Sequence, residues 1–115
     1  MKGIKMKKEF FTIKIRYYSI YAVAAGRLEE EITIEPNSSF DLSQLLTTLI
    51  NKYGTALSNK IFDKDYNFKP IFWILVDGKR MPLPKNYSEF KTKSPPIGGK
   101  KYTEIIITSP LLVGG

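Results

Sequence analysis

The sequence predicts one α+β domain in which a mixed sheet is covered on one face by a main helix. Segments of alternating apolar residues indicate strands near both ends of the chain, and a leucine-rich segment between them has the periodicity of an amphipathic helix. The length of 115 residues is that of one domain with its own core. No internal repeat and no second domain boundary interrupts this pattern.

Two strands are predicted before the helix. In Phe11–Tyr17 the apolar side chains alternate with polar ones, which is typical of a half-buried strand. Alternation resumes in residues 28–34 after a connection of small residues, 21–26, and Pro36 ends it because proline lacks the N–H that a strand donates. Glu30 falls on the apolar face, so we expect it to mark either a β-bulge or the true start of the strand.

The helix is the clearest element of the sequence. Leu42–Tyr53 places its leucines on one face and its polar residues on the other. Asp41 or Ser39 is suited to cap its amino end, with Gln44 three residues after Asp41, and Gly54 is suited to end it. Residues 55–62 are compatible with a further turn or two of helix.

Further strands are predicted in the second half of the chain. Residues 71–76 form a continuous apolar run, after which Asp77-Gly78 indicates a tight hairpin turn with a return strand at residues 79–81. Residues 82–101 are rich in Pro, Gly, Lys and Ser and are predicted to be irregular. The β-branched segment Tyr102–Thr108 is the last predicted strand, and the helical connection lets it lie beside the first strand in parallel, in the middle of the sheet.

The composition makes the chain a poor candidate for an enzyme that acts alone. It contains no Cys and no His, which excludes thiol nucleophiles, disulfides, ordinary zinc sites and the commonest general base. The net charge of +7 comes from lysines spread along the chain, so we expect no nucleic-acid partner. The alternative is a nucleic-acid surface built from Tyr17, Tyr18 and Tyr21 near Arg16.

The amino end is predicted to be a short mobile extension, residues 1–8, before a domain of residues 9–108. It is lysine-rich like the head of a secretory signal, but Lys14 and Arg16 interrupt the following apolar stretch too early for one. No segment is apolar over the length that spans a membrane. We therefore expect a cytoplasmic protein with no membrane partner.

Residues 109–115 are predicted to be a flexible tail that ends in Gly114-Gly115. Two glycines in succession can lie extended in a slot too narrow for other residues, which suits activation of the Gly115 carboxylate by another enzyme. Pro110 discourages the tail from continuing the sheet, and the apolar Leu111, Leu112 and Val113 would be costly to leave in water without a partner groove. The alternative is a disordered end with two small residues.

The chain from about Thr12 onward resembles the β-grasp, ubiquitin-like sulfur carriers, and most closely the small subunit of molybdopterin synthase. The tail motif Pro110-Leu111-Leu112-Val113-Gly114-Gly115 carries the most specific likeness, although Leu111 replaces a second proline of the family. The leucine-rich helix and the turn at Asp77-Gly78 are also similar. Residues 18–26 match an aromatic-Ala-x-x-Arg-Glu-x-x-Gly segment of the family, with Ala22-Val23 in place of its Arg-Glu pair.

The resemblance implies a ubiquitin-like β-grasp fold and a non-catalytic role as a sulfur-carrying subunit. A ubiquitin-activating type of enzyme would adenylate Gly115 with ATP and Mg²⁺, and sulfur would then displace AMP to give a terminal thiocarboxylate. The large catalytic subunit of molybdopterin synthase would receive the tail through residues 110–113 and pass the sulfur to a pterin precursor. The chain itself would bind no cofactor and no metal.

Other acceptors remain open. The same activation serves a ubiquitin-like modifier that is joined through Gly115 to lysines of other proteins, and it also serves sulfur carriers of thiamin synthesis or tRNA thiolation. An internal Gly98-Gly99 after Pro95-Pro96 also looks like a family tail. Cleavage after Gly99 would remove the last strand from the middle of the sheet, so we expect this segment to be a turn.

Overall fold

The computed structural model describes residues 10–35, 40–97 and 101–110, which contain a five-stranded sheet. The strands lie in the order β2-β1-β5-β3-β4. Their bounds are β1 Phe11–Tyr17, β2 Glu29–Ile34, β3 Trp73–Val76, β4 Lys79–Arg80 and β5 Tyr102–Thr108. The last strand of the described chain is thus the middle strand of the sheet, as the sequence predicts.

The sheet is mixed because β1 and β5 are parallel while the other pairs are antiparallel. In the parallel pair Ile15 lies opposite Ile105, and in the β1–β2 pair Ile13 lies opposite Ile32. The turn at Asp77-Gly78 joins β3 to β4, and both of its central residues have positive φ (50° and 87°), the conformation that a tight hairpin turn requires. The predicted parallel pairing and hairpin are both confirmed.

Four helices lie among the strands in the described ranges: α1 Ile20–Ala25, α2 Leu42–Tyr53, α3 Thr55–Ile61 and α4 Tyr87–Lys93. The main helix, α2, begins with a capping box in which Asp41 Oδ1 accepts the Gln44 N–H at 2.8 Å and Gln44 Oε1 accepts the Asp41 N–H at 2.8 Å. Both hydrogen bonds satisfy N–H groups that have no partner inside the helix. The sequence places this element and its cap correctly.

The core lies between α2 and one face of the sheet. Buried leucines of α2 and isoleucines of β3 and β5 line the same interior cleft: Leu42, Leu45, Leu46, Leu49, Ile74, Ile105 and Ile107. An aromatic cluster continues this core under α3 and α4, where Phe62 contacts Phe68 and Tyr87 with ring centres 5.0 and 4.9 Å apart. The fold class predicted from the sequence, an α+β domain with its main helix on one sheet face, is confirmed.

Two local predictions are wrong, and one of the two alternatives for Glu30 is excluded, since β2 starts at Glu29. The small-residue segment after β1 is the helix α1, which buries Tyr21 and ends at Gly26 in the left-handed conformation (φ 72°). The segment 82–101 contains α4, whose amino end is capped by Asn86. Glu30 belongs to an unbroken ladder opposite Ile15, so β2 has no bulge at this position.

The segment before the internal diglycine is fixed to the start of α2. The Leu42 N–H donates to the Pro95 carbonyl at 3.0 Å, and the Ile97 N–H donates to the Phe40 carbonyl at 3.0 Å. Gly98 and Gly99 themselves lie outside the described residues. Within the described ranges, no helix is both long and apolar enough to cross a membrane.

Candidate functional site

The candidate site is the carboxyl end of β5, from which the chain continues toward the diglycine. The Tyr18 N–H donates to the Ile107 carbonyl at 3.0 Å, and Thr108 lies opposite Trp73 of β3. Thr108 and Ser109 are almost fully buried, with 2% and 3% of their surfaces exposed. The end of β5 is therefore bonded to a neighbouring segment on each side at the point where the chain leaves the sheet.

Pro110 is half-buried and is the last residue of the described ranges. The remaining predicted site residues, Leu111, Leu112, Val113, Gly114 and Gly115, lie outside those ranges. Their roles stay predictions. The described part of the structure supplies the starting point of the tail and the surfaces next to it.

The junction between β1 and α1 lies beside this starting point, because Tyr18 is bonded to β5. Ser19, a non-glycine residue, has φ 58° and ψ −134° there. Such a conformation costs on the order of 1–3 kcal/mol and persists only where the surroundings impose it. The junction borders a recess of about 270 Å³ whose lining includes Tyr18, Ser19, Ala22 and Leu28.

Two apolar side chains in the connection between β1 and β2 are exposed. Val23 in α1 is 81% exposed and Leu28, just before β2, is 74% exposed. Sequence reasoning did not select them as site residues. The available signal was Ala22-Val23 itself, which stands where the resembling family has a charged Arg-Glu pair.

Charged residues occupy the open sheet face near β5. Arg16 Nε lies 2.9 Å from Glu104 Oε2, and Lys14 Nζ lies 3.5 Å from Glu29 Oε1. A hydrogen bond with Tyr18 and the charge of Glu104 raise the pKa of Arg16 above its ordinary value. These cations are paired with carboxylates, so this face carries little uncompensated charge.

Tyr17, Tyr18 and Tyr21 do not form the exposed surface that the nucleic-acid alternative requires. Tyr17 and Tyr21 are core residues with 1% and 0% of their surfaces exposed. Burial raises the pKa of Tyr21 to about 12, in keeping with its place beside the Phe72 ring 5.6 Å away. Of the three tyrosines, Tyr18 is the one that is half-buried and not buried.

No group of three or more His, Cys, Asp or Glu side chains suited to a metal ion occurs within residues 10–35, 40–97 and 101–110. The described residues next to the end of β5 fix the origin of the tail, and an apolar recess and paired charges lie beside it.

Solved structures of other proteins share this architecture. SAMP1 from Haloferax volcanii is 14% identical, with a TM-score of 0.62 over 86% of this chain and 94% of that one. Small archaeal modifier protein 1 from Methanosarcina acetivorans is 20% identical, with a TM-score of 0.60 over 89% and 95%. The fold is the ubiquitin-like β-grasp.

A third β-grasp structure comes from Pyrococcus furiosus. This candidate molybdopterin converting factor, subunit 1, is 14% identical to the chain, with a TM-score of 0.55 over 86% of this chain and 97% of that one. Neither a protein-family model nor a curated protein sequence matches the chain. The three proteins thus share the β-grasp fold with this chain at 14–20% sequence identity.

Proposed function

We propose that the chain is a ubiquitin-like sulfur carrier whose Gly115 carboxylate becomes a thiocarboxylate that donates sulfur in molybdopterin synthesis. The observation that carries the proposal is the placement of β5. It is the middle strand, its carboxyl end is bonded to Tyr18, and it leads through the buried Ser109 directly into the tail. The fold shared with a candidate molybdopterin converting factor subunit supports the same role.

The proposed reaction first activates the Gly115 carboxylate, which is a poor electrophile. A terminal carboxylate has a pKa near ~3.5 and is ionised at neutral pH, so it does not accept a nucleophile unaided. A carboxylate oxygen of Gly115 attacks the α-phosphorus of ATP and pyrophosphate leaves. Hydrosulfide then attacks the carbonyl carbon, the carbon–oxygen bond to AMP breaks, and a proton is released from sulfur. An adenylating partner supplies the nucleotide site and Mg²⁺.

The reach of the tail suits delivery into a partner. Because Ser109 is buried, the free length starts at Pro110, and the six residues from there to Gly115 span at most about 20–22 Å when extended. This distance lets the β-grasp body stay outside while the terminus enters the active site of a large synthase subunit. The recess lined by Ser19 and the exposed Leu28 is next to the start of the tail, where such a subunit would make contact.

A protein modifier joined through Gly115 to lysines of other proteins is the second candidate. It is favoured by the likeness to two proteins that are themselves called small archaeal modifier protein 1. The first chemical step would be the same adenylation. A sulfur carrier for thiamin synthesis or tRNA thiolation would also share that step and would differ only in the acceptor.

Adenylation is tested with the activating enzyme of the same organism, ATP and Mg²⁺, by exchange of labelled pyrophosphate into ATP. We expect the full chain to support exchange and the chain without Gly115 to support none, with unchanged thermal unfolding. Gly99→Ala is the matched control, because it alters the internal diglycine and should leave exchange intact. Exchange at the parental rate without Gly115 would refute the proposal.

The two candidate roles are separated by the form of the protein recovered from its native host. A carrier gives an intact mass in which one oxygen is replaced by sulfur, and it migrates as the free chain under reducing, denaturing conditions. A modifier gives heavier conjugates that survive reductant and leave diglycine remnants on target lysines. Conjugates without any thiocarboxylate would replace the carrier by the modifier.

A further inference from the structure

A cavity of about 400 Å³ lies between two chain segments, residues 63–72 and residues 80–85. Hydrogen bonds fix both walls. The Phe68 N–H donates to the Lys85 carbonyl at 2.9 Å, and the Met81 N–H donates to the Ile74 carbonyl of β3 at 2.8 Å. The volume falls in the range of small-ligand sites, and walls fixed in this way make a cavity that exists before a ligand arrives.

One part of the lining is apolar. The rings of Phe68 and Phe72 are parallel within 5°, with centres 5.9 Å apart, and Met81 and Leu83 contribute further apolar surface. Phe68 is itself held by Phe62 and Phe90, whose ring centres lie 5.0 and 5.4 Å away. Phe72 is only 2% exposed, so the half-buried Phe68, Met81 and Leu83 supply the apolar surface that a planar ring can cover.

Another part of the lining is cationic. Arg80, Lys85 and Lys69 all border the cavity, and Lys69 Nζ donates to the Asn59 carbonyl at 2.7 Å. Within the described ranges, neither Arg80 nor Lys85 forms an ion pair with a carboxylate. The guanidinium carbon of Arg80 lies 3.9 Å from the centre of the Trp73 ring, which limits the orientations of its donors.

Asp63 is the one acidic residue in the lining. Its Oδ1 accepts the N–H groups of Asp65 and Asn67 at 2.8 and 3.0 Å, and these hydrogen bonds, that of Asn67 foremost, hold the pKa of Asp63 below its ordinary value. Three cations therefore face one carboxylate. An anionic group would lie against the wall of residues 80–85, while Asp63 favours a hydroxyl or amino donor at the opposite wall.

We propose that this cavity binds a small phosphorylated compound that carries a flat ring, of which a mononucleotide is the simplest example. The ring packs against Phe68, Met81 and Leu83, and the phosphate accepts hydrogen bonds from Arg80 and Lys85. The site shares none of its lining residues with the recess beside Ser19. It is therefore a second function of the chain, separate from activation of Gly115.

Calorimetric titration of the full chain with three probes tests the proposal. AMP supplies ring and phosphate, adenosine supplies the ring alone, and inorganic phosphate supplies the charge alone. We expect AMP to bind at least about tenfold more tightly than either fragment, because both parts of the cavity act together. Equal affinity for AMP and phosphate would refute the ring site, and no binding of AMP would refute the whole proposal.

Matched variants locate the site. Arg80→Gln and Lys85→Gln each remove one charged donor, and each should raise the Kd for AMP about tenfold. Lys79→Gln changes the net charge by the same amount at an exposed residue that does not line the cavity, and it should leave the Kd unchanged. Equal weakening by all three variants would mean that only the overall positive charge attracts AMP, which overturns the proposed site.

The chain has a single tryptophan, which gives an internal reporter of Arg80. Saturation with AMP should change the fluorescence of Trp73, since phosphate binding alters the guanidinium stacked on its ring. Unchanged emission at saturation would place AMP elsewhere and contradict the proposal. The chain without Gly115 should bind AMP as the full chain does, so that failure of this proposal and failure of the sulfur-carrier role are distinguishable.

Discussion

On the core-facing side of the sheet, the Glu30 carboxylate accepts a hydrogen bond of 2.5 Å from the phenol of Tyr17. The same carboxylate accepts hydrogen bonds from Tyr53 and, at 2.5 Å, from Lys52 Nζ, while Arg27 lies 3.5 Å away. Its side chain is only 5% exposed. One buried charge therefore ties β1 and β2 to the carboxyl end of α2.

The first prediction concerns the ionisation of Glu30. Burial opposes ionisation, but hydrogen bonds from Lys52, Tyr17 and Tyr53 together lower the pKa of Glu30 in the folded protein. Its contribution to the free energy of unfolding is therefore present above the unfolded pKa of about 4.3 and is lost as the pH falls through the folded value. Glu30→Gln should cost about 1–3 kcal/mol at neutral pH, and the deficit should shrink below about pH 5.

The measurement for Glu30 is denaturant unfolding from neutral pH to about pH 3. Glu31→Gln, at the neighbouring exposed residue, is the control and should change the free energy of unfolding by less than about 0.5 kcal/mol. A Glu30→Gln deficit of constant size across this range would show that the charge is not what stabilises the junction.

The second prediction concerns the cap of α2. Asp41→Ala should lower the free energy of unfolding by about 0.5–2 kcal/mol, because the Gln44 N–H and the Ser43 hydroxyl lose their acceptor. Asp41→Asn keeps an acceptor oxygen and should recover most of the loss. The measurement is urea unfolding of the parent and the two variants. Equal losses of unfolding free energy in both variants would exclude capping as the cause.

The third prediction concerns the middle strand. Ile105 is fully buried between Ile15 of β1 and Val76 of β3. Ile105→Ala should cost about 2–5 kcal/mol because it leaves a cavity in the core. Val23→Ala removes a similar side chain from an 81% exposed position and should change stability by no more than about 0.5 kcal/mol, as judged by thermal unfolding.

The fourth prediction concerns the apolar tail. Leu112→Asp should weaken binding to the large subunit of molybdopterin synthase, because a carboxylate entering an apolar groove must lose its water. The melting temperature of the free domain should not change. Leu112→Ile, which keeps the apolar volume, is the control. Calorimetry of the complexes would contradict the prediction if Leu112→Asp bound as tightly as the parent.

Sequence reasoning located the elements whose patterns are long or strongly periodic. β1, α2 and β5 each show their period over a whole element, and the cap at Asp41 is adjacent to its helix. The helices α1 and α4 were not predicted, because six or seven residues are too few to show a helical period among small or charged residues. The signal for α4 was local, with Asn86 three residues before Glu89 and the buried Phe90 next to it.

Glu30 shows why the site and its supports are harder to predict than the fold. Its position on the apolar face is visible in the sequence, but its partners Lys52 and Tyr53 lie at the end of a helix, 22 and 23 residues later. The cavity of Phe68 and Arg80 likewise joins segments whose contact depends on the tertiary fold. The tail motif, in contrast, is contiguous and is visible in the sequence alone.

The parallel pairing of β1 with β5 has a consequence for how the molecule folds. Thr12 pairs with Tyr102, so the central contact of the sheet joins the beginning of the described chain to its end. Contacts of such long sequence separation close slowly, and the helix α2 and the hairpin at Asp77-Gly78 can form earlier because their contacts are local. During synthesis, the edge of β1 that pairs with β5 therefore stays unpaired until β5 has been made.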